Sequence, residues 1–396
     1  MDSTAVLSSA APESVGISSE RLARLDAAIQ GEIERGKLPG GVAMIARRGK
    51  VAHFRAYGKL DPRRDEPMQT DSIFRIYSMT KPVVSAAVMM LVEQGRLLLT
   101  TPVAAYLPEF AGLQVSVETD GETRQVPASR PITVHDLLRH TAGFTYQFMG
   151  VSALHQQYAA AGLFSRSLTN ARFSKALAEL PLARQPGTAW SYSHATDVLG
   201  CIVEVVTGEP LGVHLQKAIF EPLGMVDTAF HVESAKHHRI AEPFSKDPDT
   251  GAHVSVFDVR KPVAHEMAGA GLVSTAADYA RFMEMMLSGG ALGGVRLLGP
   301  KTVRLMTSDH LDGIPITGEL LGPGHGFGLG FAVRLHDGVA AGAGSAGQYF
   351  WAGLAGTSFF IDPREELHAQ FMIQQPGRRE YYRSTFRELV YAALVD

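Results

Sequence analysis

The chain has 396 residues, of which 45% are hydrophobic and 19% are charged, and its formal net charge at pH 7 is -3. This length and composition are typical of a globular protein with a large core, arranged as two domains or as one domain with a large insertion. The near-neutral charge balance excludes the strongly basic surface that binds nucleic acids or anionic membranes, so neither is expected as a partner. No apolar run approaches the roughly 18 residues of a membrane span.

The N-terminal residues 1–16 contain neither a basic region nor an apolar region of the kind found in secretory signal peptides. We therefore expect a cytoplasmic location. Cys201 is the only cysteine, which excludes an internal disulfide, and the apolar residues around it predict a buried position in the core.

The first elements in chain order are a helix, a hairpin and a second helix. A stripe of apolar residues predicts a helix over 18–36, and Gly36 ends it. Two strand-like runs at 41–46 and 51–57 are separated by a short polar turn, which predicts a β-hairpin. After a polar loop, the apolar run 83–92 predicts a buried helix that begins near Ser78.

Ser78 and Lys81 lie at the start of this buried helix. Their i, i+3 spacing stacks the lysine ammonium beside the serine hydroxyl on one helix face. Pro82 fits the first turn, where its missing N–H is not needed. A buried lysine beside a serine can activate that serine as a nucleophile, although the alternative is a capping serine and a lysine that reaches solvent.

The segment 102–263 has a different character, because helical stripes dominate it. Apolar periodicity predicts helices at 133–139, 173–180, 195–207 and 211–219, separated by turns marked with glycine and proline. We interpret this segment as a mainly helical inserted domain.

Strand signals return in the last third of the chain. A helix is predicted over 275–287, then strands at 327–333, 357–362 and 368–374, and a closing helix at 378–394. These strands are expected to complete the sheet that the N-terminal hairpin begins. Residues 1–101 and 264–396 would then form one discontinuous α/β (α+β) domain, an antiparallel sheet flanked by helices.

Two further segments are candidates for the chemistry of Ser78. A Pro-Gly turn at 186–187 leads into Tyr192, which could act as a general base beside a cation, or could be a packing residue. The glycine-rich stretch 348–357 contains Trp351 and Gly353 ahead of a strand, where backbone amides can complete an oxyanion hole.

Taken together, these segments resemble serine hydrolases of the class C β-lactamase fold, and most closely the family VIII carboxylesterases. The run Ser78-Met-Thr-Lys81 matches the Ser-x-x-Lys box, and Tyr192-Ser-His194 matches the Tyr-x-Asn box at its tyrosine. The run Trp351-Ala-Gly353 occupies the place of Lys-Thr-Gly in β-lactamases and of Trp-x-Gly in many of these esterases. The stretches 132–143 and 271–280 are also similar to the family, so the resemblance extends from about residue 15 to the C-terminus.

The resemblance implies a β-lactamase/transpeptidase-like fold and acyl transfer through a covalent serine ester. Ser78 would attack the ester carbonyl, and Lys81 and Tyr192 would share the role of general base. The backbone amides of Ser78 and Leu354 would hold the oxyanion, each donor contributing on the order of 3 kcal/mol. No cofactor and no metal ion are implied.

Two departures from the family pattern bear on the substrate. His194 replaces the asparagine of the second box, and Trp351 replaces a lysine that would attract the carboxylate of a β-lactam. With Trp351 and Gly353 lining an apolar pocket, we expect hydrolysis of short-chain neutral esters to exceed hydrolysis of β-lactams. Tyr146, from the helical segment, and His194 are further candidates for the pocket.

Other functions are weighed against this prediction. On the same scaffold they are a β-lactamase, a D-Ala-D-Ala peptidase or amide hydrolase, and an acyltransferase; outside enzymes, a non-catalytic binding protein. A Gly-x-Gly-x-x-Gly at 342–347 is not followed by a helix, which excludes dinucleotide binding, and no Gly-x-Ser-x-Gly or metal-binding histidine cluster is present. A small ester is the expected partner, and the sequence is compatible with a homo-oligomer.

Overall fold

The computed structural model describes residues 7–119 and 122–396. Its α-helices are α1 Ser19–Glu34, α2 Thr80–Glu93, α3 Val134–Leu138, α4 Ala153–Ala160, α5 Asn170–Ala178, α6 Ala195–Thr207, α7 Leu211–Leu215, α8 Glu221–Leu223, α9 Ala276–Leu287, α10 Pro300–Met306 and α11 Arg379–Ala392. Its strands are β1 Ser8–Ser9, β2 Gly40–Arg47, β3 Lys50–Asp61, β4 Glu66–Pro67, β5 Phe74–Arg75, β6 Gln114–Thr119, β7 Glu122–Pro127, β8 Val273–Ser274, β9 Ala291–Leu292, β10 Val295–Arg296, β11 His325–Phe327, β12 Ala332–Arg334, β13 Tyr349–Ala352, β14 Ser358–Asp362 and β15 Leu367–Ile373.

One large sheet joins the two ends of the chain. Its strand order is β1-β3-β2-β15-β14-β13-β12-β11, and β4 pairs with β3 at the side. All neighbours are antiparallel except β1 and β3, and β15 pairs with β2 from Leu367 opposite Arg47 to Ile373 opposite Gly41. The predicted α/β sheet, completed by the C-terminal strands, is therefore confirmed.

Helices cover both faces of this sheet, which explains why the central strand β2 is buried along its whole length. Its residues Val42 and Met44 point into the larger core, which includes α2 and α9. Ala43 and Ile45 point to the opposite face, where α1 and α11 pack. The alternation follows from the two-residue period of a strand.

Local capping determines where several helices begin and end. The Ser18 side chain accepts a hydrogen bond from the Arg21 amide at the start of α1. Thr133 and Asp136 form a reciprocal capping box on α3. At the end of α6, Gly208 adopts a left-handed conformation with a φ of 74°, which glycine accommodates without strain.

Two predictions about elements are wrong. The single strand predicted at 327–333 is the short hairpin β11–β12, because the chain reverses at Gly330, whose φ is 95°. The predicted helix 211–219 is α-helical only to Leu215 and continues as a π-helical turn, Gln216–Phe220. The mainly helical segment also contains the unpredicted hairpin β6–β7.

The boundaries between 101 and 102 and between 263 and 264 remain a proposal. The cytoplasmic location expected from residues 1–16 also remains a proposal. The first six of these residues lie outside the described residues. Among the described helices none is by itself long and apolar enough to cross a membrane; α6 and Leu211–Leu223 meet that criterion only as a pair bent by 78°. In the same part of the chain, no group of three or more His, Cys, Asp or Glu side chains could hold a metal ion.

Candidate active site

Ser78 lies on a tight turn that joins a short strand to the buried helix α2. A 3-10 turn, Tyr77–Met79, precedes α2, and Ser78 is half-buried there. Tyr77 has a φ of 44°, a left-handed conformation that costs a tyrosine about 1–3 kcal/mol. Its hydroxyl accepts the Phe257 amide at 3.0 Å and its ring stacks on Phe257 with centroids 5.0 Å apart, so packing holds the turn in place.

Lys81 lies directly beside the serine. Its side chain is only 1% exposed. The ammonium nitrogen is 3.4 Å from Ser78 Oγ and 3.2 Å from Tyr146 Oη, and it donates to the Gly269 carbonyl at 2.7 Å. A buried lysine amino group that contacts one carbonyl and two hydroxyls is placed to exchange a proton with Ser78.

Tyr192 brings the segment before α6 to the same point. Lys81 Nζ lies 4.5 Å from the centroid of the Tyr192 ring. The Tyr192 hydroxyl accepts a hydrogen bond of 3.2 Å from the indole N–H of Trp351, on β13. The structure therefore places Trp351 against Tyr192, a contact that the sequence did not predict. A hydrogen-bond donor at this point stabilises negative charge on the phenol oxygen.

The turn between β13 and β14 carries Leu354, whose amide is predicted from the sequence as the second donor of an oxyanion hole. The Gly356 amide donates to the Gly353 carbonyl at 3.0 Å, which closes a turn with Leu354 at its first central position. Among the hydrogen bonds of the described residues, none uses the amide N–H of Ser78 or of Leu354. Both donors are available for a ligand.

Gly353 allows this turn to lie close to the serine. A Cβ at position 353 would come closer than 3.0 Å to the Ile76 carbonyl oxygen and to the Thr357 hydroxyl. Ile76 is two residues before Ser78, so this contact fixes the β13–β14 turn against the turn that carries Ser78. Glycine is required here by close backbone approach.

A buried acid, Asp197, contacts Lys81 indirectly, through the backbone of Gly269. Asp197 accepts the Gly269 amide at 2.7 Å and the Nδ1–H of His194 at 3.0 Å. Because the Gly269 carbonyl accepts from Lys81, Asp197 and Gly269 together fix the position of the ammonium. His194 has no exposed surface, so the structure places it beneath the pocket and not in its wall.

The burial of these groups determines their charges. Burial lowers the pKa of His194, assisted by the Lys81 charge, so His194 is neutral and donates through Nδ1. Burial alone would raise the pKa of Asp197, but the His194 hydrogen bond and nearby positive charge outweigh it, and the pKa is lowered. Burial also raises the pKa of Tyr146 well above its usual range, so Tyr146 is a neutral phenol and not a base.

Apolar side chains lie beside Tyr146 and at the β13–β14 turn. Phe148 and Phe164 stack on Tyr146, with ring centroids 4.9 and 5.7 Å away. Phe148 is 56% exposed and Leu354 is 47% exposed. Exposed apolar side chains near the site suit an uncharged organic substrate.

The structure brings Ser78, Lys81, Tyr192, Trp351 and Tyr146 together, with Leu354 and Gly353 on the adjoining turn. Asp197 and Gly269 were missed by the sequence reasoning. Asp197 is an acid within the apolar run of α6, and that anomaly was the available signal, since buried acids need partners. Gly269 carries no comparable signal. The arrangement can activate a serine hydroxyl and stabilise an oxyanion, which are the two requirements of acyl transfer.

Comparisons with known proteins agree with this geometry. The profile of the beta-lactamase family matches residues 25–393. Protein Rv1367c of Mycobacterium tuberculosis is 36% identical over 365 residues, 88% of either chain, and Esterase EstB of Burkholderia gladioli is 35% identical over 363 residues, 86% of this chain and 87% of EstB. The solved structure of EstCE1, described as a hydrolase with promiscuous acyltransferase activity, superposes with a TM-score of 0.80 at 29% identity, covering 94% of this chain and 98% of EstCE1.

Proposed function

The chain belongs to the beta-lactamase family and, within it, to the family VIII carboxylesterases, and from that premise we propose that it hydrolyses short-chain neutral esters through an acyl-enzyme on Ser78. The observation that carries this proposal is the contact of Trp351 with Tyr192 beside the Ser78–Lys81 pair. This contact places an uncharged, largely apolar side chain beside the residues proposed for acyl transfer. In β-lactamases the position of Trp351 is occupied by a lysine.

The first half of the reaction forms the acyl-enzyme. Ser78 Oγ attacks the ester carbonyl carbon while its proton passes to the basic member of the Lys81–Tyr192 pair. The carbonyl oxygen becomes an oxyanion and accepts from the amides of Ser78 and Leu354. The tetrahedral intermediate then collapses, the alcohol leaves with the proton, and an ester on Ser78 remains.

The second half regenerates the enzyme. Water enters, gives its proton to the same Lys81–Tyr192 pair and attacks the acyl carbon. The oxyanion forms again in the same place, and collapse returns the proton to Ser78 and releases the carboxylic acid. Tyr146 remains neutral throughout, and its hydroxyl holds the Lys81 amino group by accepting a hydrogen bond from it.

The apolar site supports esters over β-lactams as substrates. A β-lactam needs a positive partner for its carboxylate, and burying that carboxylate against the Trp351 indole without one is unfavourable. The similarity to EstB, a protein named as an esterase, also supports the proposal.

A substrate panel with two serine variants tests this function. Purified protein is assayed with p-nitrophenyl acetate, p-nitrophenyl butyrate, a long-chain p-nitrophenyl ester and nitrocefin, alongside Ser78→Ala and Ser85→Ala. Ser85 is the matched control, because it lies on the same helix with a buried hydroxyl that has no partner among the described residues. We expect fast turnover of the short esters, little nitrocefin cleavage, and loss of turnover only in Ser78→Ala.

The other outcomes decide between the alternatives. Fast nitrocefin hydrolysis would favour a β-lactamase. Ester turnover that survives in Ser78→Ala would refute the acyl-enzyme on Ser78. An absence of turnover on every ester would favour the peptidase or amidase function, or a non-catalytic binding protein.

Acyl transfer to an alcohol is a second candidate function. Phe148, which stacks on Tyr146, is an exposed apolar side chain that can hold an alcohol close to the acyl-enzyme, and EstCE1 is described as having promiscuous acyltransferase activity. Adding butanol to the butyrate assay separates the two routes. Butyl butyrate formed in preference to butyric acid at low butanol concentration would assign the protein as a transferase.

A further inference from the structure

Arg383 connects the last helix of the chain to the turn that bears the proposed oxyanion donor. Its guanidinium Nη2 donates to the Gly353 carbonyl, and Nη1 donates to Glu380 at 2.5 Å. The side chain is only 15% exposed, whereas Glu380 is 70% exposed. The cation is therefore directed at the peptide oxygen, and Glu380, its one charged hydrogen-bond partner among the described residues, is largely in solvent.

The peptide that Arg383 binds is the one that carries the Leu354 amide. The Gly353 carbonyl and the Leu354 N–H belong to one peptide unit, and in a trans peptide they point in opposite directions. The Gly356 amide donates to the same carbonyl at 3.0 Å. Two donors on the oxygen draw electron density through the peptide, which makes the opposite N–H a stronger donor.

The surroundings of the guanidinium increase this effect. Burial lowers the pKa of Arg383 to about 10, and the negative charge of Glu380 opposes this shift. Arg383 is therefore still charged at neutral pH but has lost much of its solvation. A cation in such surroundings interacts more strongly with a nearby dipole than a solvated one does.

We propose that Arg383 is a positioning residue for the oxyanion hole, because it orients and polarises the Gly353–Leu354 peptide so that the Leu354 N–H meets the developing oxyanion. This inference rests on the proposed acyl transfer at Ser78. One oxyanion donor contributes about 100- to 1000-fold in rate, so weakening that donor is expected to lower kcat by about 10- to 100-fold.

Substitutions on α11 separate this role from a purely structural one. Arg383→Met removes the charge and the hydrogen bonds, and Arg383→Lys keeps the charge. Arg387→Met is the matched control, since Arg387 lies one turn further along α11, is half-buried over Phe350 at 4.5 Å from the ring centroid, and is not hydrogen-bonded to the turn. Thermal unfolding is recorded for all three variants.

The kinetic readout compares p-nitrophenyl acetate with its thiono analogue, in which sulfur replaces the carbonyl oxygen. Sulfur is a weak acceptor, so the thiono ester gains little from an oxyanion hole. We expect Arg383→Met to lower kcat for the oxygen ester more than for the thiono ester, so the ratio of the two rates falls. Arg383→Lys should recover part of that ratio, and Arg387→Met should leave it unchanged.

A second readout does not depend on turnover. In protein labelled with ¹⁵N-leucine, the Leu354 amide proton resonance should move upfield in Arg383→Met and stay in place in Arg387→Met, because the peptide is less polarised. An unchanged rate ratio, or equal losses on both esters that follow the loss of stability, would overturn the proposal. An unmoved Leu354 resonance would overturn it even in a protein without esterase activity, so this failure is distinguishable from a failure of the proposed function.

Discussion

Trp351 contacts Tyr192, a member of the proposed base pair, through the only polar atom of its side chain. The indole N–H donates to the Tyr192 hydroxyl at 3.2 Å, and the ring centroids of the two residues are 5.2 Å apart. A lysine at this position would bring a charge that attracts a substrate carboxylate. The indole contributes a neutral donor to Tyr192 and, in the proposed pocket, an apolar surface.

Replacing Trp351 by phenylalanine separates these two contributions. Trp351→Phe keeps an aromatic ring but removes the donor to Tyr192, and a hydrogen bond to a group that becomes charged contributes about 1.5–3 kcal/mol. We expect kcat for p-nitrophenyl acetate to fall by about 10-fold or more, while KM changes little. Steady-state kinetics measure this, with thermal unfolding as the control for folding. An unchanged kcat would show that the hydrogen bond has no catalytic role.

The predictability of individual residues from sequence depends on how local their signal is. Ser78 and Lys81 are three residues apart, so their spacing alone placed them on one helix face. Asp197, Gly269 and Arg383 act through contacts between segments that are far apart in the chain. Their partners are set by the packing of α6, the loop before β8 and α11, which no local pattern specifies.

At the scale of elements, the β13–β14 turn depends on a glycine that has an ordinary φ but no space for a side chain. Gly353→Ala would force the Cβ into the Ile76 carbonyl, so the turn must move away from Ser78. We expect a loss in kcat of at least about 10-fold, since misplacing catalytic groups by about 1 Å costs up to about 100-fold. The assay is p-nitrophenyl acetate hydrolysis. Gly338→Ala is the control, because a Cβ there meets nothing within 4 Å; equal activity in both variants would contradict the proposed oxyanion hole.

The first turn of α9 carries a buried carboxylate that destabilises the protein at neutral pH. Burial raises the pKa of Asp278 to about 6, and the Asp227 charge adds to this, although the Asp227 amide and the Thr228 hydroxyl donate to the carboxylate. The unfolded chain has a pKa of about 3.9 for this group. The folded state therefore binds the proton more tightly, and its stability falls as pH rises from about 4 to about 6.

Asp278→Asn should remove this pH dependence while keeping an oxygen acceptor. We expect the free energy of unfolding of the variant, relative to the parent, to increase by about 1–3 kcal/mol between pH 4 and pH 7. Urea unfolding at a series of pH values measures the difference. A difference that is constant with pH would mean that Asp278 does not titrate in this range.

There are physical reasons why sequence patterns failed to predict two of the elements. The run 327–333 is apolar enough for one strand, but the positive φ at Gly330 turns it into a hairpin. The hairpin β6–β7 has alternating residues from 114 to 119 and an Asp-Gly pair at 120–121, which are hairpin signals that the surrounding helical periodicity outweighed. Long periodic helices such as α6 and α9 were predicted almost to the residue, because their apolar stripes are continuous.

At the scale of the whole molecule, the main sheet brings strands from the two ends of the chain together. β2 and β15 are neighbours in the centre of the sheet although more than 300 positions separate them, with hydrogen-bond partners from residue 41 to residue 47. The sequence predicted that the C-terminal strands complete the sheet, but it could not give this order, because strand pairing depends on contacts that local patterns do not encode.

Hydrogen exchange tests whether this sheet is one cooperative unit. Amides of Gly40–Arg47 and Leu367–Ile373 are paired and buried, so we expect them to exchange last and at the same rate, through global unfolding. Amides of the β6–β7 hairpin, which is outside the main sheet and has an exposed second strand, should exchange much earlier. Early exchange of β2 with protection of β15 would show that the two ends fold independently.

The central claim is that Ser78 becomes acylated, and intact-protein mass spectrometry tests it most directly. The protein is mixed with p-nitrophenyl butyrate and quenched in acid within milliseconds, then the mass is recorded and the adduct is located by peptide mapping. The account predicts the mass of one butyryl group on the peptide that contains Ser78, formed in Ser85→Ala and absent in Ser78→Ala. An adduct at another residue, or an adduct that persists in Ser78→Ala, would contradict it.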